Sequence, residues 1–515
     1  MSKKNTCKKH AENSVSLDVN TVKHAVIEQD DHVQTGNAGL AFIICILDAA
    51  SCLNKLDDLL PPSGGHPWNW IPFSAVAKLM IVMMCLRQPR FECARKTSLE
   101  DLALAVVGRP VSPESLRQKM DILAECPEAR HIVEEATLQL AAMAAMQDVE
   151  GGSRRLIPLD IDPTPLDNRG NKEKTGPTYD GGWGYCPMTS FAGTVPLFSQ
   201  LRPGQQHSIN GTPDFMDHCF DGTDSLCIPR SGLLVRADCG LDGVEFMTRL
   251  LDDGVPFLVK RNARGARHLA GTALLAKAKE MGVEPEQDSR RAGRSYYRFE
   301  LDDCPRGLEG RGVRCIVEVR VDLWNDRGQR FLSEELGVQG AAWWTSLEAD
   351  PKSVVMLYHD HATMEQHHGE LKTDLGIERL PSGKFETSRL YLQLAYVAMT
   401  VLRLIGDKAL QCDPGVSPRP SRPAPRRLRL RTILERYVFV PGRHCLDRTP
   451  VQDRSQRQVF PLQGLQGDSC PMLAPRRLRT HFSGTPCTGI HGRGREAYAL
   501  FTFFHEFWEM ISGVQ

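Results

Sequence analysis

Apolar residues recur at three- and four-residue spacing from about residue 38 to 148, most clearly in 74–86, 99–107, 115–124 and 131–146. A period near 3.6 places such positions on one helix face, so a helical region is expected there. Residues 98–124, SLEDLALAVVGRPVSPESLRQKMDILA, carry their own punctuation. Gly108 can end one helix, Ser112 can cap the next, and Pro113 suits its first position. Two helices joined by a short Gly-containing turn make a helix-turn-helix candidate. Its second helix would present Arg117, Gln118 and Lys119 to phosphates or base edges. A solvated helical hairpin would show the same pattern.

At residue 156 the period changes. LIPLDID is short, apolar-rich and followed by Pro163, and GLLVRADCG at 232–240 runs into a Gly turn. Both read as buried strands. VEFMTRLLDDG follows as a helix and VPFLVKRN as another strand, an alternation that implies an α/β core with some parallel pairing. From 294 to 346 the texture is strand-only (SYYRFEL, VRCIVEVRVDLW, GAAWWTSL), and helices return at 352–375 and 386–408. The expected division is a polar segment 1–37, a helical, helix-turn-helix-like region 38–150, and an α/β domain in two parts, 151–290 and 348–410. A β-rich insertion, 291–347, interrupts that domain. Residues 411–515 form a basic Pro/Arg-rich linker and tail, expected to be partly disordered. Arg419, Arg422, Arg426, Arg427, Arg429 and Arg431 crowd its first part, where they could give salt-sensitive affinity for a polyanion.

Composition changes this picture in three ways. Hydrophobic residues make up 41% and charged residues 24%, a globular balance, and Lys+Arg equals Asp+Glu at 63 each. Any nucleic-acid surface must therefore come from local basic stretches. Sixteen cysteines contain no C-x₂₋₄-C pair, which argues for buried thiols in a reducing compartment. The start, MSKKNTCKKHAENS, lacks an apolar core, and the apolar runs at 40–50 and 73–86 are shorter than a span of about 20 residues. A cytoplasmic protein without a membrane segment is expected.

Carboxylates at the ends of buried strands need a positive partner. Asp160 and Asp162 alternate on the first strand and share a face, and Asp238 ends the second. Ligands of open α/β sheets collect at the carboxyl ends of strands. A hard divalent cation such as Mg2+ would relieve the repulsion there. A third carboxylate comes from VVMLYHDHATMEQHHGELKTDLG: on a helix starting near 358, Tyr358, His361, Glu365 and Lys372 fall on one stripe. With three carboxylates, two ions about 3.5–4 Å apart can flank a phosphoryl transfer. Capping or Arg pairing would explain any single Asp equally well.

Tyr358-(2)-His361-(3)-Glu365-(6)-Lys372 resembles the Y-(2)-R-(3)-E-(6)-K signature of bacterial insertion-sequence DDE transposases, with His361 in place of Arg. LDIDPT resembles the family's first-aspartate strand, which favours Asp162 and leaves Asp160 as alternate. VRADCGLDGVEF resembles the second-aspartate strand, and WWTSLEADPKSVVMLYHDH the approach to the glutamate. VPFLVKRNARG and the segment from ELKTDLG to LRLIG resemble the DDE group 1 type, over roughly 75–410. The resemblance implies an α/β, RNase H-like catalytic core with a β-rich insertion, preceded by a helical N-terminal domain. It implies catalysis and metal binding by Asp162, Asp238 and Glu365, with Mg2+ or Mn2+ as cofactor. Phosphate contacts fall to Tyr358, His361 and Lys372, with Lys260, Arg261, Arg117 and Lys119 adding to DNA binding. The implied partners are double-stranded DNA, as terminal inverted repeats and target, and a second copy of the chain in a homodimer. The implied setting is the bacterial nucleoid.

Trp324, Trp343 or Trp344 could stack on an extruded base, although core positions are the plainer reading. Two other functions remain open: an RNase H-like nuclease without strand transfer, and an inactive, decayed transposase that only binds DNA. A zinc site from His359, His361, His367 and His368 is disfavoured, because those positions do not share one helix face.

Overall fold

The computed structural model describes residues 26–29, 35–60, 71–263, 265–412, 427–440, 443–447 and 477–482. Most of the 1–37 segment, of the Pro/Arg-rich linker (with Arg419, Arg422 and Arg426) and of the tail lies outside the described residues. The chain divides into two compact units, Met1–Met143 with Thr373–Gln515, and Ala144–Lys372.

The first unit holds a small sheet, with Arg477–Phe482 between Val26–Gln29 and Arg443–Asp447, and the helices α1 (Leu40–Ala49), α2 (Phe73–Cys85), α3 (Asp101–Val107), α4 (Pro113–Glu125), α5 (Pro127–Ala141) and a long helix, Phe385–Cys412. Every residue of α2 is buried, and the ammonium of Lys78 is met by Asp48 at 3.2 Å. The turn between α3 and α4 follows its sequence signals. Gly108 takes φ 72°, and the Ser112 hydroxyl accepts from the Ser115 amide at 3.1 Å.

The basic face of α4 is engaged differently from the helix-turn-helix expectation. Arg117 is held by Glu114 at 2.6 Å and Asp121 at 3.2 Å. Lys119 lies 4.3 Å over the Phe73 ring, where burial depresses its pKa. Lys119 therefore packs inward, since its aliphatic stem and charge both gain from the aromatic face.

The long helix, at the end of the 348–410 block, packs among α2, α4 and α5 of the first unit. Thr387 donates to Asp121 at 2.6 Å, Tyr391 donates to the Pro89 carbonyl at 2.9 Å, and Gln393 donates to Glu134. Helical periodicity shows that a face is buried but does not say against what. By length and composition this helix could cross a membrane, yet 94% of its apolar window is buried inside the protein.

The second unit is built on a ten-stranded mixed sheet and carries the helices α6 (Thr212–Ser225), α7 (Val244–Asp252) and α8 (Gly271–Glu280). Its strands are β1 (Arg154–Pro163), β5 (Met188–Ala192), β6 (Val195–Gln200), β7 (Leu233–Ala237), β8 (Phe257–Lys260), β9 (Glu286–Gln287), β10 (Arg294–Leu301), β11 (Arg314–Asp322) and β12 (Val338–Thr345), with Val149–Gly151 beside the start of β1. The order is β9-β10-β11-β12-β8-β7-β1-β5-β6. β1, β7 and β8 run parallel, whereas β5 and β6 fold back antiparallel on the other side of β1. The strand-only block is thus an extension of this sheet: β12 pairs antiparallel with β8, Lys260 opposite Trp343, and β11, β10 and β9 continue the ladder. Trp343 and Trp344 are 2% and 4% exposed and belong to the core, while Trp324 is 42% exposed. Leu156, Leu234, Leu258, Ile316 and Trp343 form a cluster under α9 (Pro351–His359).

Between β1 and β5 a separate small sheet grows out: β2 (Leu166–Asp167), β3 (Gly176–Pro177) and β4 (Trp183–Tyr185), in the order β2-β4-β3. Gly184 allows this packing. A Cβ there would sit 2.0 Å from the Leu166 carbonyl oxygen and 2.6 Å from the Asn168 nitrogen, both backbone atoms. Gly184→Ala is expected to cost about 1–3 kcal/mol through overpacking, read as a lower urea midpoint at unchanged m-value.

Candidate active site

Parallel pairing sets the centre of the site. Ile161 of β1 lies opposite Ala237 of β7, so the next residues, Asp162 and Asp238, leave adjacent strands side by side. Asp238 caps the following turn, its carboxylate accepting from the Gly240 amide at 2.9 Å. Burial raises the proton affinity of Asp162 well above the ordinary carboxylate range, and the charges of Asp238, Asp160 and Glu365 raise it further, with Lys372 opposing. Burial likewise raises Asp238, offset by the Gly240 amide, His361, Lys260 and His207. The charges of Glu365, Lys372 and Lys260 thus reach this pair of aspartates. Glu365 is exposed, while Asp162 and Asp238 are half-buried.

The segment carrying Glu365 is not one regular helix. It comprises α9, a 3₁₀ turn Asp360–Ala362, α10 (Thr363–Gly369) and a π turn Glu370–Asp374. Such irregular turns rotate side chains off a simple stripe. Tyr358 stays near the acids: burial, then Asp238 and Asp162, push its phenol upward, so it remains protonated. His361 instead turns inward, 7% exposed, with Nδ1 2.9 Å from Asp160. This orientation corrects its assignment to a DNA phosphate.

Asp160 is fully buried and already neutralised. Arg236 grips it with two bonds, Nε to Oδ1 at 2.6 Å and Nη2 to Oδ2 at 2.7 Å, and His361 adds a third contact. Burial alone would raise its pKa, but Arg236 and His361 more than offset that and hold it low. With its charge already matched by the Arg236 fork, Asp160 is less suited to a cation than Asp162. Arg236 also donates to the Leu357 carbonyl at 2.7 Å, tying β1 and β7 to α9.

Two further residues lie beside Asp162: Thr189, which the sequence did not signal, and His368, weighed there only for zinc. The Thr189 hydroxyl donates to the Asp162 carbonyl at 2.7 Å, so its oxygen accepts from His368 Nε2 at 2.9 Å. That tautomer leaves His368 Nδ1 as a bare acceptor 3.6 Å from Asp162 Oδ2. Burial, with Lys372 and His361, pushes the His368 pKa down to about 3, so the ring is neutral. Two acceptors facing each other call for a proton or a cation. Together with the unbalanced acids around Asp162, this fits a divalent cation, although among the described residues no three His, Cys, Asp or Glu side chains are already drawn to one point.

The remaining predicted residues are dispersed. Arg261 is bound to Asp303 at 2.7 Å and stacked 4.3 Å over Trp344, with a largely buried side chain. Internal pairing corrects its role as a backbone contact. Lys260 stays near Asp238. Of the four histidines weighed for zinc, His359 pairs with Glu318, His361 with Asp160 and His368 with Thr189, while His367 stacks on Phe191. Arg431 pairs with Glu435 at 2.9 Å in the helical unit.

A family model described as Transposase DDE domain group 1 matches residues 117–414. Among solved structures, the cryo-EM structure of a piggyBac transposase synaptic complex with hairpin DNA is similar over 69% of this chain and 71% of that chain, at 12% identity and a TM-score of 0.38. No curated protein matches the chain.

Proposed function

The chain belongs to the transposase DDE domain group 1 family, and from that premise we propose that it cuts DNA at the ends of an insertion-sequence element and joins them to target DNA. The observation that supports this most is the register placing Asp162 beside Asp238, with Glu365 close enough to raise the Asp162 carboxyl. The order β6-β5-β1-β7-β8, with its antiparallel hairpin on one side and parallel strands on the other, supports an RNase H-like core.

Asp162, Asp238 and Glu365 would hold divalent cations, Mg2+ with Mn2+ as substitute. Bound there, such ions supply positive charge to offset the charge developing on a phosphodiester in transfer. The protein's own groups do the rest. Lys372 and Lys260 bring positive charge to the acid cluster, where a phosphate would otherwise be repelled. Tyr358 keeps its proton and can donate it to a phosphate oxygen. Arg236 and Asp160 hold the strands that present the acids. Bringing two element ends together requires two active sites, so a homodimer on DNA is part of the proposal.

The test uses duplexes carrying the genomic sequence that flanks the coding region. Mg2+- or Mn2+-dependent nicking at a fixed position, abolished by EDTA, followed by joining of the new 3′-hydroxyl to plasmid DNA, supports transposition. Nicking without joined product points to a nuclease. Binding without nicking points to an inactive remnant and overturns the enzymatic reading.

A further inference from the structure

The small sheet between β1 and β5 has no part in the chemistry above, yet it stands at the rim of the acid cluster. It leaves β1 four residues after Asp162 and returns into β5, whose Thr189 is the register partner of Asp162. Its outer surface carries two large aromatics in the open: Tyr179 is 69% exposed and Trp183 46% exposed. They flank a tight turn in which the Thr178 amide bonds the Gly182 carbonyl at 3.0 Å and Asp180 accepts from the Thr178 hydroxyl and the Gly182 amide. The Tyr185 hydroxyl fixes the neighbouring loop at the Glu173 carbonyl, 2.7 Å away. Trp183 spends its one donor on Thr175 at 3.3 Å, which sets its ring orientation and leaves a face to solvent. Arg169, paired with Asp167 at 3.2 Å at the surface, and exposed Lys174 lie on the same segment.

Two solvent-facing aromatic rings, Trp183 anchored through its indole N–H, suit the faces of nucleobases, which stack without regard to sequence. Inside a duplex those faces are covered by neighbouring base pairs, so the fitting occupant is a base freed from pairing. A phosphodiester at the acids puts its flanking bases within reach of this surface. We propose that residues 166–185 form a stacking platform for unpaired bases at the cut DNA end, with Tyr179 and Trp183 taking the bases and Arg169 and Lys174 the flanking phosphates. The proposal rests on the DNA-cutting reading of the acid cluster, and the experiment separates the two.

Full-length protein carrying Glu365→Gln is bound to the flanking-sequence duplex with 5-iodouracil in place of thymines around the mapped nick, then irradiated. Cross-links at Tyr179 or Trp183, from positions next to the nick, are expected. Tyr179→Ala and Trp183→Ala should each weaken binding of a forked duplex roughly 10- to 100-fold, while Tyr179→Phe binds as wild type. Cross-links confined to other residues, or alanine variants that bind the fork like wild type, overturn the platform even when wild-type protein nicks DNA. Absence of nicking by wild-type protein overturns the DNA-cutting reading, and the platform falls with it.

Discussion

Asp162→Asn is expected to reduce DNA cleavage by roughly 10³-fold or more while making the cation-free protein more stable at neutral pH. The activity loss follows from its place at the centre of the acid cluster, next in register to Asp238. The stability gain follows from the same crowding. Burial, then Asp238, Asp160 and Glu365, raise the Asp162 carboxyl well above its ordinary value. A carboxyl whose folded pKa lies above its unfolded value, near 3.9, stabilises fully below that value. The contribution is lost as pH rises through the folded pKa. Above the unfolded value the native state therefore holds, at a cost, either an unfavourable charge or a proton that the unfolded chain has released, and the amide removes that cost at almost constant shape. A gain on the order of 1 kcal/mol, about 2–4 °C in Tm for a unit of this size, is expected. Thermal melts from pH 5 to 8 should show the advantage of the variant growing with pH. Added Mn2+ should raise the wild-type Tm and move the variant much less. A variant that melts below wild type at pH 8 without metal would contradict the electrostatic account.

The acids were legible because a carboxylate ending an apolar strand is locally anomalous: LDID before Pro163 and VRAD before Cys239 announce themselves without any partner being known. The capped turn at Gly108, Ser112 and Pro113 was legible for the same reason, since its signals are backbone demands met within a few residues. What failed depended on distant partners. Arg236 sits in an otherwise apolar strand, and that alone implies a buried acid, but the sequence does not choose Asp160 over Asp162. The resemblance pointed His361 at a phosphate, whereas its ring, on a 3₁₀ turn, lies against Asp160. β5 and β6 gave no signal because both faces are covered. Thr189, Ser190 and Ser199 are buried among apolar neighbours, and no two-residue alternation survives. Arg117, Lys119 and Arg261 looked like DNA contacts until Glu114, Phe73 and Asp303 were found against them.

Asp160→Ala, two residues away, should behave in the opposite way: a loss of about 3–5 kcal/mol in folding free energy. Asp160 is 0% exposed and Arg236 3%. Deleting the carboxylate strands a guanidinium in the sheet with only the Leu357 carbonyl to bond, and removes the acceptor of His361. The cost is that of an uncompensated buried charge, so it should shrink when the charge is also removed. Asp160→Leu combined with Arg236→Met should recover a large part of the loss, and the double-mutant cycle should give a coupling well above 1 kcal/mol. The pH signature is also reversed. Burial acts to raise the Asp160 pKa, but Arg236 and then His361 outweigh it and hold the carboxyl low. A depressed folded pKa gives stability that is present above the unfolded value and lost as pH falls through the folded one. The gap between wild type and Asp160→Ala should therefore stay level from pH 5 to 8 and close only in acid, where the Asp162 crowding is relieved. Urea unfolding of both single variants across that range measures the two slopes. If Asp160→Ala were as stable as wild type at pH 7, the pairing with Arg236 would not be what joins β1, β7 and α9 behind the acids.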